Sequence, residues 1–395
     1  MVNKTVKQIG IFERHYHVKF LHTITRITNT TDTHVTIFTT QHIYDQLIVN
    51  LTKPDDYTFV IKQPHESVHN FMKRVETYCT KNIDLLFINT IQTTMFDLVH
   101  YLGFRPRCTM ILTIHMTNHW LRAKYALNMK NLLRSLDANL SLFFIKTVVL
   151  PKFHAINVIY PPTKTYLEDH KAYRKPIFTL PFNFYDEKKH YPKPNTDDIT
   201  RIVISGKIEK FRRDYNTALE VFEHLSTKYP NHLQLSLLGQ PVGAYGEKII
   251  TKSQQLKEQG HNIHYPTDYV SEEEYNQILA ECDLIFAPLK IQKIIDTGIE
   301  EIYGLSEGSA IPFEAVQNQK PLIVPQDFQV IDELQSSTIQ YADADDLKRQ
   351  LETLLQSKTK LTKIKHEAQK NASAFSLEKL QQYFTKEILE KLDQL

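Results

Sequence analysis

Two doubly wound α/β domains facing each other across a crevice are what this sequence predicts, and three observations predict it. The 395 residues exceed what one ordinary core accommodates, so two domains of about 200 residues each are expected. Short β-branched and aromatic runs alternate with stretches of helical period in both halves. Between the halves, 181–198 (PFNFYDEKKHYPKPNTDD) interrupts that alternation with three prolines and unpatterned charge, as a linker does. Strands that are nearly continuous apolar runs, separated by helices, indicate parallel sheets covered on both faces. The expected division is 1–190, a linker at 191–199, a second domain over 200–372 and a terminal helix over 373–395.

In the first half the predicted strands are KQIGIFE (7–13), HVTIFTT (34–40), YTFVIK (57–62), IDLLFINT (83–90), TMILTIH (109–115), SLFFIKTVV (141–149) and HAINVIY (154–160). Helical period runs through 18–27, 66–79 and 118–136. In the second half the order is RIVISG (201–206), a helix from about Asp214 to Lys228, LQLSLLG (233–239), and a helix from about Glu247 to Glu258. NIHYP (262–266), a helix over 271–282, DLIFAPL (283–289), a helix near 309–318 and PLIVP (321–325) follow. From Asp343 onward the chain reads as helix, and DAD at 343–345 is a helix N-cap in place of a metal motif. Ligands in such folds lie at the carboxyl ends of the strands.

Composition narrows the function classes. The chain is 42% apolar and 23% charged with a net charge of +2, which argues against a broad nucleic-acid surface. Cys79, Cys108 and Cys282 stand singly, as core thiols in a reducing compartment do, and no metal-ligand spacing is seen. No signal pattern opens the chain and no apolar run reaches the ~18–20 residues of a span. A cytoplasmic protein is expected, with peripheral contact at the inner face of a membrane left open. Only ten glycines occur, against roughly 7% in ordinary chains, and eight lie between Gly206 and Gly308. That draws attention to the second half.

Three stretches there could carry chemistry. In VISGKIEKFRRDY (203–215) a strand ends at Gly206, and Lys207, Lys210, Arg212 and Arg213 lead into a helix, which suits a diphosphate; a solvated basic loop is the competing reading. LLGQPVGAYG (237–246) places Gly239, Gly243 and Gly246 after a strand without dinucleotide spacing, and reads as a plain turn before a helix. In IYGLSEGSAIPFEAVQNQKPLIVP (302–325), Gly304, Gly308 and Ser309 precede a helix whose free N–H groups favour an anion. Glu314, inside that helix, could accept the vicinal hydroxyls of a ribose, and Glu307 those of a second sugar; ordinary helix-start acidity is the alternative. In the first half, His15 and His17 follow the first strand, and His115 ends another with Asn118 and His119 behind it. His115 stands where active-site groups of parallel sheets emerge.

The second half resembles the carboxyl-terminal domain of GT-B glycosyltransferases, in particular the retaining family four. The likeness lies in strand–Gly–RRDY–helix, YVSEEEYNQILAECDLIFAPL (269–289) and EGSAIPFEAVQNQKPLIVP (307–325), the last similar to E-G-x-G-x-P-x-x-E-A followed by G-x-P-V-I. TIH, ending at His115, is similar to the T-x-H-D element of that family's first domain. The likeness covers about 200–330 well and the first half loosely. It implies a GT-B architecture and a glycosyltransferase acting on a glycan, lipid-linked or other cell-surface acceptor, with retention, in cell-surface polysaccharide assembly. The donor would be a UDP- or GDP-sugar and no metal or other cofactor would be required. Lys207, Arg212 and Arg213 would neutralise the diphosphate, with Gly206, Gly239, Tyr303, Gly304, Gly308 and Ser309 shaping the donor site. Glu314 would bind the ribose, and Glu307 and His115 would face the transferred sugar. The terminal helix would cross back to the first domain. Glu307 and Glu314 are one residue closer than in the family, which puts Ser306 at the first glutamate's place. Arg14-His15-Tyr16-His17 replaces the usual Gly-Gly loop, and Gln319 replaces a glycine. A non-catalytic glycan-binding or scaffold protein of the same fold is the rival reading.

Overall fold

Seven parallel strands form the first sheet: β1 (Lys7–Glu13), β2 (Thr33–Thr39), β3 (Tyr57–Ile61), β4 (Leu85–Ile88), β5 (Thr109–Ile114), β6 (Ala155–Val158) and β7 (Ile177–Thr179). Their order across the sheet is β3-β2-β1-β4-β5-β6-β7. The structure, a computed structural model, describes residues 6–125, 132–188, 197–266, 270–294 and 299–394. Strand order reverses between β1 and β4, so the chain leaves these two strands in opposite directions and opens a crevice at their carboxyl ends. The strands are buried on both faces; Ile9, Ile11, Leu85, Phe87 and Ile111 are inaccessible to solvent.

The second sheet repeats the plan with six parallel strands: β8 (Thr200–Ser205), β9 (Leu233–Leu238), β10 (Ile263–His264), β11 (Leu284–Phe286), β14 (Leu322–Pro325) and β15 (Thr338–Tyr341). Their order is β10-β9-β8-β11-β14-β15, again reversing beside the first strand. Between β11 and β14 an antiparallel hairpin, β12 (Gln292–Ile294) with β13 (Glu300–Ile302), projects from the sheet.

The end of the chain returns to the first lobe. Tyr185 exchanges backbone hydrogen bonds with Phe375 and Leu377. Helix Leu377–Tyr383 then lies against helix Val18–Thr28, where Gln381 Nε2 donates to the carbonyls of Arg26 (3.0 Å) and Asn29 (2.8 Å). Phe384 packs near Phe87 with ring centroids 6.3 Å apart.

Several elements differ from expectation. Residues 141–149, predicted as a strand, are helical: Leu132–Phe144 continues into a wide turn over Ile145–Val149. A short apolar run cannot distinguish a buried strand from a helix by periodicity alone. Of the helix expected at 118–136, the structure shows a single turn at Asn118–Arg122 and, from Leu132 on, the start of the helix Leu132–Phe144, while 126–131 lie outside the described residues. The helix expected from Glu247 begins a turn earlier, at Gly243, so Gly243 and Gly246 are helical. β7, β15 and the hairpin are too short to be read from composition. The predicted linker falls largely outside the described residues, which resume at 197. Asp343 caps helix Ala344–Gln356 by accepting from the N–H of Asp346 at 2.8 Å.

Candidate functional site

β8 ends at Ser205, and Gly206 turns the chain outward with a φ of +92°. A side chain there would collide with the guanidinium of Arg213, 2.6 Å from the position a Cβ would take. Glycine therefore lets that cation lie flat against the peptide at the strand's carboxyl end. The turn is held by Tyr215, whose hydroxyl donates to the Gly206 carbonyl at 3.0 Å, and by Asp214, which caps helix Tyr215–Lys228. Arg213 is 7% exposed and its Nε is buried without a hydrogen-bond partner. A buried guanidinium with an unmet donor is costly unless an anion completes it. Arg212 is half exposed and pairs with Glu209 at 2.7 Å. Lys207 is exposed on the same loop. Gly239 lies behind this turn, backbone against the Gly206 carbonyl.

Helix Ile311–Asn318 brings Glu314 to the same strand end. One carboxylate oxygen accepts from the Ser205 hydroxyl and the other from the Tyr275 hydroxyl. Each oxygen keeps a second lone pair, so the group can still receive a diol. Neither Ser205 nor Tyr275 is marked by the sequence as a partner of Glu314. From the first lobe, Lys19 places its ammonium 4.6 Å from the centre of the Tyr275 ring, which brings both lobes to this carboxylate.

The turn at 303–309 is internally bonded. The N–H groups of Leu305, Ser306 and Glu307 donate to the Ile302 carbonyl, and that of Gly304 donates to Glu307. Gly308 N donates across the crevice to the His115 carbonyl at 3.4 Å. The N–H groups of Gly304 and Gly308 are thus already bonded, because the turn closes on itself and on the other lobe. Gly308 is glycine for a packing reason: a Cβ would sit 2.5 Å from Ile159 of the first lobe. Ser309 accepts from the N–H of Ile311 at the helix start. Glu307 is buried 3.6 Å from Lys293 on the hairpin, with Tyr303 beside it. Burial raises its carboxyl above the ordinary range, while Lys293 and Arg212 oppose the rise. Burial likewise pushes the Tyr303 phenol up.

The two lobes meet through this hairpin. Thr117 donates from both N–H and hydroxyl to the Ser306 carbonyl, at 2.9 and 2.7 Å. Glu301, fully buried, accepts from His119 N–H (2.7 Å), Asn118 N–H (3.4 Å) and the Ser306 hydroxyl (2.6 Å). Asn118 Nδ2 also donates to the Glu300 carbonyl at 3.0 Å. Burial, with Glu307 adding to it, pushes the Glu301 carboxyl up to about 7. Ser306 thus serves the joint between lobes. Glu301 is a residue that no sequence signal marks, since its role exists only once the hairpin meets the loop after β5.

On the first lobe His115 follows β5. Its ring stacks on His17 at 4.5 Å and meets Phe20 edge-on. Burial lowers it to about 3, so it is a neutral imidazole at physiological pH, and its Nε2 has no hydrogen-bond partner. Asn89, after β4, is fully buried with neither amide atom partnered. Glu13 ends β1; burial pushes it up to about 7 while it accepts from the Thr90 hydroxyl (2.6 Å) and His15 N–H (2.7 Å). The carboxyl thereby fixes the loop carrying His15 and His17. Arg14 pairs with Asp97 beside it, and the other Asp97 oxygen lies 3.1 Å from Nε2 of neutral His15.

The structure therefore gathers Gly206, Arg213 and Glu314 at one strand end. Tyr303, Gly304, Glu307, Gly308 and Ser309 lie on the turn between that point and His115. Lys207 and Arg212 stand on the outer loop, and Gly239 is behind it.

Solved structures share this architecture. TarM superposes with a TM-score of 0.61 over 98% of this chain and 99% of its own, at 10% identity. A glycosyltransferase from Rickettsia africae gives 0.60 over 98% of both chains at 11% identity. A putative UDP-N-acetylglucosamine 2-epimerase from Listeria monocytogenes gives 0.53 over 93% and 94% at 12% identity. The fold is the GT-B architecture, two parallel-sheet α/β domains set face to face. No protein-family model and no curated protein matches the sequence.

Proposed function

We propose that this protein is a glycosyltransferase that takes a sugar from a nucleoside-diphosphate donor and passes it to a hydroxyl of a glycan or lipid-linked acceptor. The observation that carries the reading is the buried Arg213, unpartnered at Nε and pressed on Gly206, within one strand end of the Glu314 carboxylate. A guanidinium matches phosphate oxygens in two directions, and a carboxylate matches a ribose diol. The GT-B fold shared with solved glycosyltransferases supports it.

Catalysis then rests on charge. As the glycosidic bond to the diphosphate breaks, negative charge grows on the leaving oxygen, where Arg213 is already desolvated and needs no reorganisation. Lys207 and Arg212 add cations from the outer loop. The first turn of helix Ile311–Asn318 contributes its dipole, complementary to an anion. Neutral His115 offers Nε2 to a sugar hydroxyl without competing for the phosphate. Glu307, paired with Lys293, faces the developing positive charge on the sugar ring. Retention at the anomeric carbon follows the family resemblance and is read from the product by NMR.

Thermal unfolding with millimolar UDP, GDP or ADP tests the donor site. One nucleoside diphosphate raises Tm, and a ligand at a hundred times its Kd adds about 2.7 kcal/mol. Arg213→Ala and Glu314→Gln remove the shift. No shift with any nucleoside diphosphate, or equal shifts in both variants, refutes the reading.

A further inference from the structure

The lobes touch along one seam whose character changes along its length. Beside Phe375, where the chain's end returns to the first lobe, the contact is apolar. Phe375 meets Phe313 with ring centroids 5.8 Å apart, and Phe313 meets Tyr160 of the first lobe at 6.0 Å. Ile159 then packs on Gly308. Farther along, the contact turns polar. Met116 pairs with Glu307 as an isolated antiparallel bridge, Thr117 holds the Ser306 carbonyl, and Asn118 and His119 reach Glu300 and Glu301. Hydrogen bonds exchange for water at little net cost, whereas apolar contact does not. The apolar end beside the chain crossing is thus built as a pivot, and the polar end as a catch.

Glu301 closes the catch, and among the described residues no cation pairs with it. Its side chain is inaccessible to solvent. One oxygen accepts from the His119 N–H, and the other lies 2.6 Å from the Ser306 hydroxyl, whose oxygen accepts from the Ile302 N–H. Lys293, opposite Glu301 in the hairpin, directs its ammonium to Glu307 at 3.6 Å and lies 5.8 Å from the centre of the Tyr303 ring. Glu300, beside it in the chain, is exposed. From the first lobe, burial keeps the His119 imidazole neutral, and Arg122 is turned to the Tyr166 hydroxyl. Burial, with the second buried carboxyl of Glu307 adding to it, outweighs the three donors and pushes Glu301 up to about 7. The acid proton can then point at the Ser306 oxygen. An ionised, unpaired carboxylate in that place is costly, and it regains water when the joint parts. We propose that Glu301 is a proton-operated catch: the lobes are held together while it carries a proton, and part at the polar end of the seam when it gives the proton up. The proposal does not depend on the sugar-transfer reading, and its test uses no activity.

The closed joint binds the proton more tightly than an open one, whose carboxyl returns to its ordinary range. Raising pH therefore favours parting, by up to about tenfold in the equilibrium per pH unit. The chain carries its own probe: its one tryptophan, Trp120, is buried in the turn Asn118–Arg122 next to His119. Acrylamide quenching of Trp120 is expected to rise from pH 5 to pH 8, in step with the radius of gyration from small-angle X-ray scattering. Circular dichroism stays that of the folded chain. Glu301→Gln keeps an acceptor for the His119 N–H and offers an N–H to Ser306, so both readings hold their pH 5 values throughout. Thr117→Val removes the hydroxyl bond to the Ser306 carbonyl and leaves Glu301 to titrate, so parting increases several-fold at each pH. Readings independent of pH in the unaltered protein, an equal pH response in Glu301→Gln, or an unchanged response in Thr117→Val overturn the proposal. So does a rise in quenching at constant radius of gyration, which confines the change to the turn.

Discussion

Burial raises the carboxyl of Glu301 far above the ordinary carboxylate range, and that makes the joint between lobes measurable through the pH dependence of stability. Its pKa is about 7 against an ordinary 4.5, with burial as the main cause. Between those two values the folded state holds a proton that the unfolded state has released, so stability falls as pH rises through that window. The difference corresponds to about 3 kcal/mol, most of which develops between pH 5 and pH 8. Glu301→Gln keeps an oxygen to accept from His119 N–H and removes the titration. Glu13 and the buried histidines titrate in both proteins and cancel in the difference. Urea unfolding of the two proteins from pH 5 to pH 8 is therefore expected to show a difference that moves in the variant's favour by about 2 kcal/mol as pH rises. Parallel curves, with a constant difference, would show that Glu301 titrates as an ordinary surface carboxyl and would refute the account of the joint.

Two further outcomes follow from the same geometry. Gly308→Ala puts a methyl 2.5 Å from Ile159 and is expected to cost about 1–3 kcal/mol, with Ile159→Ala in the same chain restoring part of the loss; calorimetry of the single and double variants measures it. His15, His17 and His22 are buried neutral and lowered to about 4, chiefly by desolvation, so the unfolded state binds more protons below pH 6.5 and stability falls as pH drops from 6.5 toward 4. His22→Phe, stacked near Phe184, removes one such proton, and a shallower acid limb in the unfolding profile confirms it.

The gathering of part of the candidate site was legible because parallel strands bring their carboxyl ends to one edge of the sheet. Gly206, Arg213 and Glu314 were marked by a strand, a glycine and a charged helix start in the right order, and the fold brings them to one strand end. That the N–H groups of Gly304 and Gly308 are bonded could not be read locally, because sequence cannot tell an open turn from one that closes on itself and on the other lobe. Ser205, Tyr275, Lys19 and Glu301 gave no signal; each acquires its role from a residue more than thirty positions away, or from the opposite lobe. The helix at 132–144 was misjudged in part for the reverse reason. Its apolar residues face two ways, so the run from 141 showed the continuous hydrophobicity of a buried strand.

What the sequence determined by itself is the alternation of apolar strand and helix, and with it two parallel sheets, since side-chain period and strand burial are local properties of neighbouring residues. Which carboxylates became buried, which cation lost its partner and how the lobes meet were decided only by tertiary structure. Desolvation depends on everything within several ångströms in space, and the chain order of Glu301, Arg213 and Glu314 carries none of that information.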